Sequence, residues 1–292
     1  MREKLSAGEK TFSVFNVIFN LLFAFCCAYP FYYLFIYAFS DASQSFRVIW
    51  HPVSFTLENF KTVLSKEGFF PALRISVLRT AVGTVVTLLC CSFLGYLMTK
   101  QQMPGRKFIY RMLVFTMYLD GGIIATYLVL RAYGLINNFA VYIIPKAVMA
   151  YYVILIKTSI EQLPPSLEES AMMDGAGPIR RWWSIVVPLS KPILATIAVF
   201  ASVGQWNSWM DSHLYTTKEN LWSLQYLLYR YLHEIQSVAA ALENSDADVA
   251  VTVTPEVVRM TITALVILPI LVVYPFMQKY FVKGIQLGAV KE

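Results

Sequence analysis

The chain has 292 residues, 57% of them hydrophobic and 14% charged, with a formal net charge of +6. Soluble domains carry roughly 25% charged residues, so this balance excludes an ordinary water-soluble domain. Several apolar runs reach the ~20 residues that a bilayer-spanning helix needs, and in such a chain the basic excess reports loop placement and argues against nucleic-acid binding.

The pattern predicts an all-α polytopic membrane protein forming one transmembrane domain across residues 1–292. Six transmembrane helices are expected at about 12–39, 76–99, 109–131, 139–160, 190–210 and 259–280. Arg2, Lys4 and Lys10 precede the first. Its apolar run is too long for a signal-peptide core and has no small-residue cleavage site, so it reads as a retained helix. With both termini cytoplasmic, the inner segments hold 14 basic residues and the outer segments 8, Arg79 counted among the outer set; that excess sets the orientation. Cys26-Cys27 and Cys90-Cys91 are adjacent pairs inside apolar runs and have no metal-ligand spacing, so they read as packing or lipid-facing residues.

Pro30 is expected to kink the first span, and Pro269 and Pro275 the last. In the outer loop Ser40–Arg74, Ser54 to Phe60 reads as a helix start with Thr56 as its N-cap. Gly83, Gly95, Ala81 and Ser92 make the second span one that neighbours can approach closely. In the outer loop 211–258, Leu221, Leu224, Leu228 and Tyr231 recur at helical spacing, and Asn244 to Thr254 reads as a small, polar, mobile loop.

Ionisable groups at membrane depth are costly and point to function. Asp120 lies midway along the third span and Lys146 follows Pro145 in the fourth. Near the outer end of the fifth, Trp206 offers an aromatic face for the C–H face of a sugar, and Asn207 offers both a donor and an acceptor for hydroxyls. These four are the candidate substrate-path residues. Set against that reading, Asp120 and Lys146 could be buried structural partners or sit near a wet helix break, and the tryptophan could be part of an interfacial aromatic belt.

Between the fourth and fifth spans lies a polar island, about 162–189, containing Glu168-Glu169-Ser170-Ala171-Met172-Met173-Asp174-Gly175-Ala176-Gly177-Pro178. Pro164-Pro165 ends one helix, and Ser166 with Glu169 three residues later has the spacing of a capping box. Gly175 is placed to end the short helix in a left-handed conformation, and Pro178 to start another at its first position. The local grammar predicts a helix–turn–helix along the inner surface. That surface carries apolar residues beside acids, which suits docking into a groove on another protein; a plain capped connection is the alternative.

The stretch Glu169-Ser170-Ala171-Met172-Met173-Asp174-Gly175-Ala176, followed by Ile185, Pro188 and Leu189, resembles the EAA loop of bacterial ABC-importer permeases. The family pattern is E-A-A-x-x-D-G-A and then I-x-L-P, from which Ser170 and Val187 depart. Asn59-Phe60, Gly204-Gln205-Trp206-Asn207-Ser208-Trp209 and Gln278 to Gly284 resemble the carbohydrate branch. The resemblance covers nearly the whole chain and is strongest to the shorter, maltose-type permease subunit of oligosaccharide importers, with an alginate-oligosaccharide importer as one candidate.

It implies a non-catalytic subunit in the bacterial cytoplasmic (inner) membrane. Its partners would be a second homologous permease, a cytoplasmic ABC ATPase dimer that binds ATP and Mg, an extracytoplasmic solute-binding protein and membrane lipid. The island would supply cytoplasmic coupling helices, with Glu169, Ala171, Asp174, Gly175 and Ala176 as ATPase-coupling residues. The chain itself has no G-x-x-x-x-G-K-[ST] phosphate loop. A peptide or amino-acid permease with the same loop is the rival reading. An intramembrane enzyme lacks any H-E-x-x-H pattern or Ser/Lys dyad, and a channel would need a filter-like repeat; neither is present.

Overall fold

The computed structural model describes residues 7–41, 48, 50–243 and 255–289. Arg2, Lys4 and the polar loop 244–254 lie outside the described residues. Every regular element among those described is helical, and the chain forms two compact units, Met1–Lys66 with Tyr231–Ile267 and Glu67–Arg230 with Leu268–Glu292.

In the first unit, α1 (Ala7–Ala38) runs through Pro30. Its end is tied to the following loop by Asn59, whose Nδ2 donates to the carbonyls of Ala38 (2.9 Å) and Ser40 (2.8 Å). Asn59 opens α2 (Glu58–Leu64), which starts slightly later than expected. Thr56 still serves its start, because its Oγ1 accepts from the amide of Glu58 at 3.1 Å. Ile36, Tyr37, Val48 and Val257 form the unit's small core.

In the second unit, α3 (Phe69–Thr99) is the central post. It is followed by α4 (Arg106–Thr116) and α5 (Gly122–Ala132). Two 3-10 turns, Phe139–Tyr142 and Ile144–Lys146, lead into α6 (Ala150–Ile160). The polar island holds α7 (Pro165–Met173), α8 (Pro178–Arg181), a π turn at Trp182–Val186 and α9 (Val187–Leu189). Then come α10 (Lys191–Asn207) and α11 (Met210–Tyr215), whereas α12 (Leu224–Glu243) and α13 (Pro255–Ala289) each have residues in both units. The helix expected in the second outer loop is α12, and α13 runs through Pro269 and Pro275.

By length and composition, Gly8–Ala38, Phe69–Thr99 and Glu256–Pro275 are each able to cross a membrane as a single helix. The fourth expected span is a broken pair, Phe139–Lys146 and Ala150–Ile160, bent by 46°. The fifth is Lys191–Asn207, which meets Pro178–Leu189 at an 84° bend.

The third expected span differs from the sequence reading. It is two 11-residue helices, α4 and α5, each too short for a bilayer core of about 30 Å at 1.5 Å per residue. The break falls at Asp120-Gly121-Gly122. Gly122 adopts φ +77°, and Asp120 Oδ1 accepts from its amide at 3.0 Å. An aspartate turn followed by glycine competes with the helix ladder and wins.

Close approach explains why α3 can pack on two partners. A Cβ built on Gly83 would lie 2.6 Å from Gln205 Nε2 of α10, and one on Gly95 would lie 3.1 Å from Ile156 Cγ2 of α6. Small residues at such crossings replace hydrophobic driving force with intimate van der Waals contact. Cys91, Tyr96, Met98, Val153, Ile156, Trp182 and Ile197 form the resulting core.

The same helix repairs the broken fourth span. Thr87 Oγ1 donates to the Lys146 carbonyl at 2.9 Å. Cys91 Sγ accepts from the Met149 amide at 3.4 Å and donates to the Ala147 carbonyl at 3.6 Å. Irregular backbone at membrane depth needs such internal partners, so Cys91 is a packing residue with a specific task.

Candidate functional site

Two polar constellations stand out in the second unit. The first is the island. Pro165 occupies the first helical position of α7, and Ser166 makes no capping bond from its side chain. This corrects the expected capping box: the proline's fixed φ and missing N–H start the helix one residue earlier than Ser166 would.

The C-terminal end of α7 follows expectation in detail. Gly175 sits at φ +77°; its amide donates to the Met172 carbonyl at 3.0 Å and that of Ala176 to the Ala171 carbonyl at 2.9 Å. This is the doubly bonded Schellman ending. Nothing lies within 4 Å of a Cβ placed on Gly175, so the backbone conformation, rather than lack of space, demands glycine there. Pro178 then starts α8. The π turn that follows precedes Pro188, whose ring would strike the carbonyl four residues back in a regular helix.

Glu168 and Glu169 are neighbours that face different surroundings, as a ~100° step around a helix dictates. Glu168 turns inward. The Tyr96 hydroxyl donates to its Oε1 at 2.7 Å, the Lys100 ammonium pairs with its Oε2, and Arg181 Nη1 lies 3.5 Å from Oε1. Partial burial alone would push its carboxyl up; the hydrogen bonds from Lys100 and Tyr96, with the Lys100 and Arg181 charges, hold it below its ordinary 4.5.

Glu169 is exposed and makes no hydrogen bond or ion pair among the described residues. Beside it the island exposes apolar side chains: Met173 at 89%, Ile179 at 68% and Trp183 at 56%. Ala171 and Ala176 are half-buried, while Asp174 and Gly175 are exposed.

The second constellation was largely missed from sequence. Arg79 is fully buried in α3, and its two Nη atoms bind both carboxylate oxygens of Asp211, Nη1 to Oδ1 at 3.1 Å. Its Nη2 also donates to Gln205 Oε1 at 3.2 Å, and Nη1 to the Ser208 carbonyl at 3.1 Å. Its guanidinium lies 4.3 Å from the ring centre of Tyr142. Lys146 Nζ donates to Asp211 Oδ2 at 3.0 Å and to Ser208 Oγ at 3.1 Å. Gln205 Nε2 closes the network on the Tyr142 carbonyl at 3.1 Å.

Arg79 is therefore a buried cation within α3 and not a loop charge. An arginine inside an apolar run was a signal in its own right; its partner, 132 residues away, gave none.

The four expected path residues are not gathered into one place. Lys146 joins the Asp211 cluster. Trp206 is buried and lines an apolar cavity of about 330 Å³ with Val77, Thr80, Ser202, Pro269 and Tyr274. Asn207 is exposed, and its Oδ1 accepts from Gln225 Nε2 at 3.3 Å. Asp120 is exposed and caps the α4–α5 break.

Among the described residues the chain is all-α, with helices long and apolar enough to cross a membrane and a polar helical island between two of the expected spans. Residues 91–287 match the family of binding-protein-dependent transport system inner membrane components, and the chain belongs to that family. It is 36% identical over 252 residues to the LplC protein of Bacillus subtilis (strain 168), covering 86% of this chain and 83% of that one. It is 33% identical over 249 residues to the polygalacturonan/rhamnogalacturonan transport system permease protein YtcP of the same organism, covering 85% and 86%. Among solved structures, it aligns at a TM-score of 0.85 and 28% identity with a chain of a bacterial ABC transporter involved in the import of the acidic polysaccharide alginate, covering 95% of this chain and 99% of that one.

Proposed function

We propose that this chain is one permease half of an ATP-driven importer that carries an acidic oligosaccharide across the inner membrane by alternating access. The observation that carries the coupling half of this reading is the island. A rigidly capped helix pair presents an unpaired Glu169 beside Met173, Ile179 and Trp183. An apolar surface with exposed carboxylates, Glu169 and Asp174, suits a groove holding a basic group on a soluble partner.

Under this reading Ala171, Asp174, Gly175 and Ala176 shape the docking turn, and Glu169 pairs with the ATPase. ATP and Mg sit on the partner ATPase dimer, whose closure moves α7–α9 and through them the spans. A second homologous permease completes the path, an extracytoplasmic binding protein delivers the solute, and both termini of this chain face the cytoplasm.

The relatives' names favour a saccharide over a peptide or amino acid, and two of them concern acidic polysaccharides. Lys146 fits that class. The Arg79–Asp211–Lys146 cluster has two cations for one carboxylate among the described residues, and the Lys146 side chain is 36% exposed. We assign it, with Trp206, Asn207 and Asp120, to the solute path. Trp206 would supply a stacking wall and Asn207 hydroxyl contacts.

Purification of the tagged chain from its own cells tests the assembly. The expected preparation contains a second permease and a Walker-A ATPase, and hydrolyses ATP. With Gly175→Val the same subunits are expected to co-purify while transport falls, because the left-handed turn costs about 1–2 kcal/mol with any β-carbon and re-aims the docking helix. A lone homomeric pore, or unchanged transport by the variant, would contradict the reading.

A further inference from the structure

We propose that Glu168 is the positioning residue that fastens the coupling helix to the membrane post α3, so that movement of the island is delivered to the spans. The proposal rests on the importer reading above and deepens it. A docking surface alone moves nothing: the force it receives must reach the spans through a stiff connection. The α7–α8 island joins the fourth and fifth spans directly through the chain, yet α3, which packs against both α6 and α10, is linked to it by the chain only through α4, α5 and α6.

Glu168 supplies the missing connection. One carboxylate on α7 receives the Tyr96 hydroxyl and the Lys100 ammonium from the last turn of α3 and its cap, and faces Arg181 on α8. Three separate elements therefore meet on two oxygens. Lys100 also lies 4.4 Å from the Tyr96 ring centre, which fixes the ammonium.

The site is sheltered: Glu168, Lys100 and Arg181 side chains are 22%, 26% and 11% exposed. Isolated surface ion pairs contribute little, but a partly buried network with a charged hub does hold geometry. The hub's depressed carboxyl keeps it ionised across the physiological range. Glu168 thus looks inward while Glu169 looks outward, and adjacent carboxylates divide the work of gripping the chain and gripping the partner.

The test uses the assembled importer, with both permeases, the ATPase pair and the binding protein, in vesicles holding ATP. Solute uptake and ATP hydrolysis are read together. Glu168→Ala is expected to assemble and to hydrolyse ATP at close to the unsubstituted rate, while solute moved per ATP falls at least about fivefold, the scale of a modest coupling free energy. Glu168→Gln keeps an acceptor for Tyr96 and is expected to fall less.

Lys100→Met removes only the ammonium on the α3 side and is expected to lower the same ratio with assembly intact. An unchanged ratio in assembled Glu168→Ala overturns the proposal. If that variant does not assemble, an unchanged ratio in Lys100→Met overturns it instead. A complex of unsubstituted subunits that takes up no solute would sink the importer reading, and not the role of Glu168 within it.

Discussion

Asp211→Ala is expected to destabilise the folded chain by about 3–5 kcal/mol, because it leaves a buried guanidinium and an ammonium with no counter-charge. Arg79 is fully buried, and its bidentate partner is that carboxylate. Gln205 and the Ser208 carbonyl would still accept from Arg79, but neither carries charge. Lys146→Met gives the control. It removes one cation and leaves the Arg79–Asp211 pair intact, so its loss should be about 1 kcal/mol or less, nearer a part-exposed pair. Thermal unfolding of the purified protein in detergent reads both, and equal losses would mean that the cluster does not behave as an ion network.

The second large effect falls at Gly83. A Cβ there would sit 2.6 Å from Gln205 Nε2 and 2.8 Å from Gln205 Cδ. Gln205 cannot swing aside without dropping its bonds to Arg79 and to the Tyr142 carbonyl. Gly83→Ala therefore combines overpacking with lost buried hydrogen bonds, together about 2–4 kcal/mol. Gly204, on the neighbouring helix, has nothing within 4 Å of its built Cβ, so Gly204→Ala is expected to be close to neutral. The same unfolding assay distinguishes them, and similar losses at the two glycines would refute the close α3–α10 crossing.

How much of this was legible follows from the range of each signal. The helical class came from composition, and the island's turn from Gly175 and Pro178, because capping is decided within a few residues. The same local logic misplaced the start of α7 by favouring Ser166 over Pro165, and read the apolar run 109–131 as one span, with a wet helix break near Asp120 only as the alternative. Asp120 thereby changed from a mid-span charge to the residue that caps a helix break.

The ion cluster was out of reach for a different reason. Arg79, Lys146 and Asp211 come from α3, a 3-10 turn and α11, and no periodicity relates them. Lys146 was noticed because charge in an apolar run is conspicuous; Asp211 was not, because it falls just beyond the fifth span. Glu168 was overlooked for its neighbour. The motif resemblance drew the eye to Glu169, whereas only side-chain placement shows that Glu168 meets Tyr96 and Lys100.

The central claim is that the island converts ATP hydrolysis elsewhere into movement of an acidic saccharide along this chain. Uptake into sealed vesicles containing the complete complex tests it directly, with labelled uronate oligosaccharides, neutral oligosaccharides and peptides offered in parallel through the binding protein. The account predicts accumulation of the uronate oligosaccharide only when ATP is hydrolysed, loss of that accumulation when the Glu169 carboxylate is removed, and no accumulation of peptide. Accumulation without ATP, or of peptide in preference to saccharide, would contradict it.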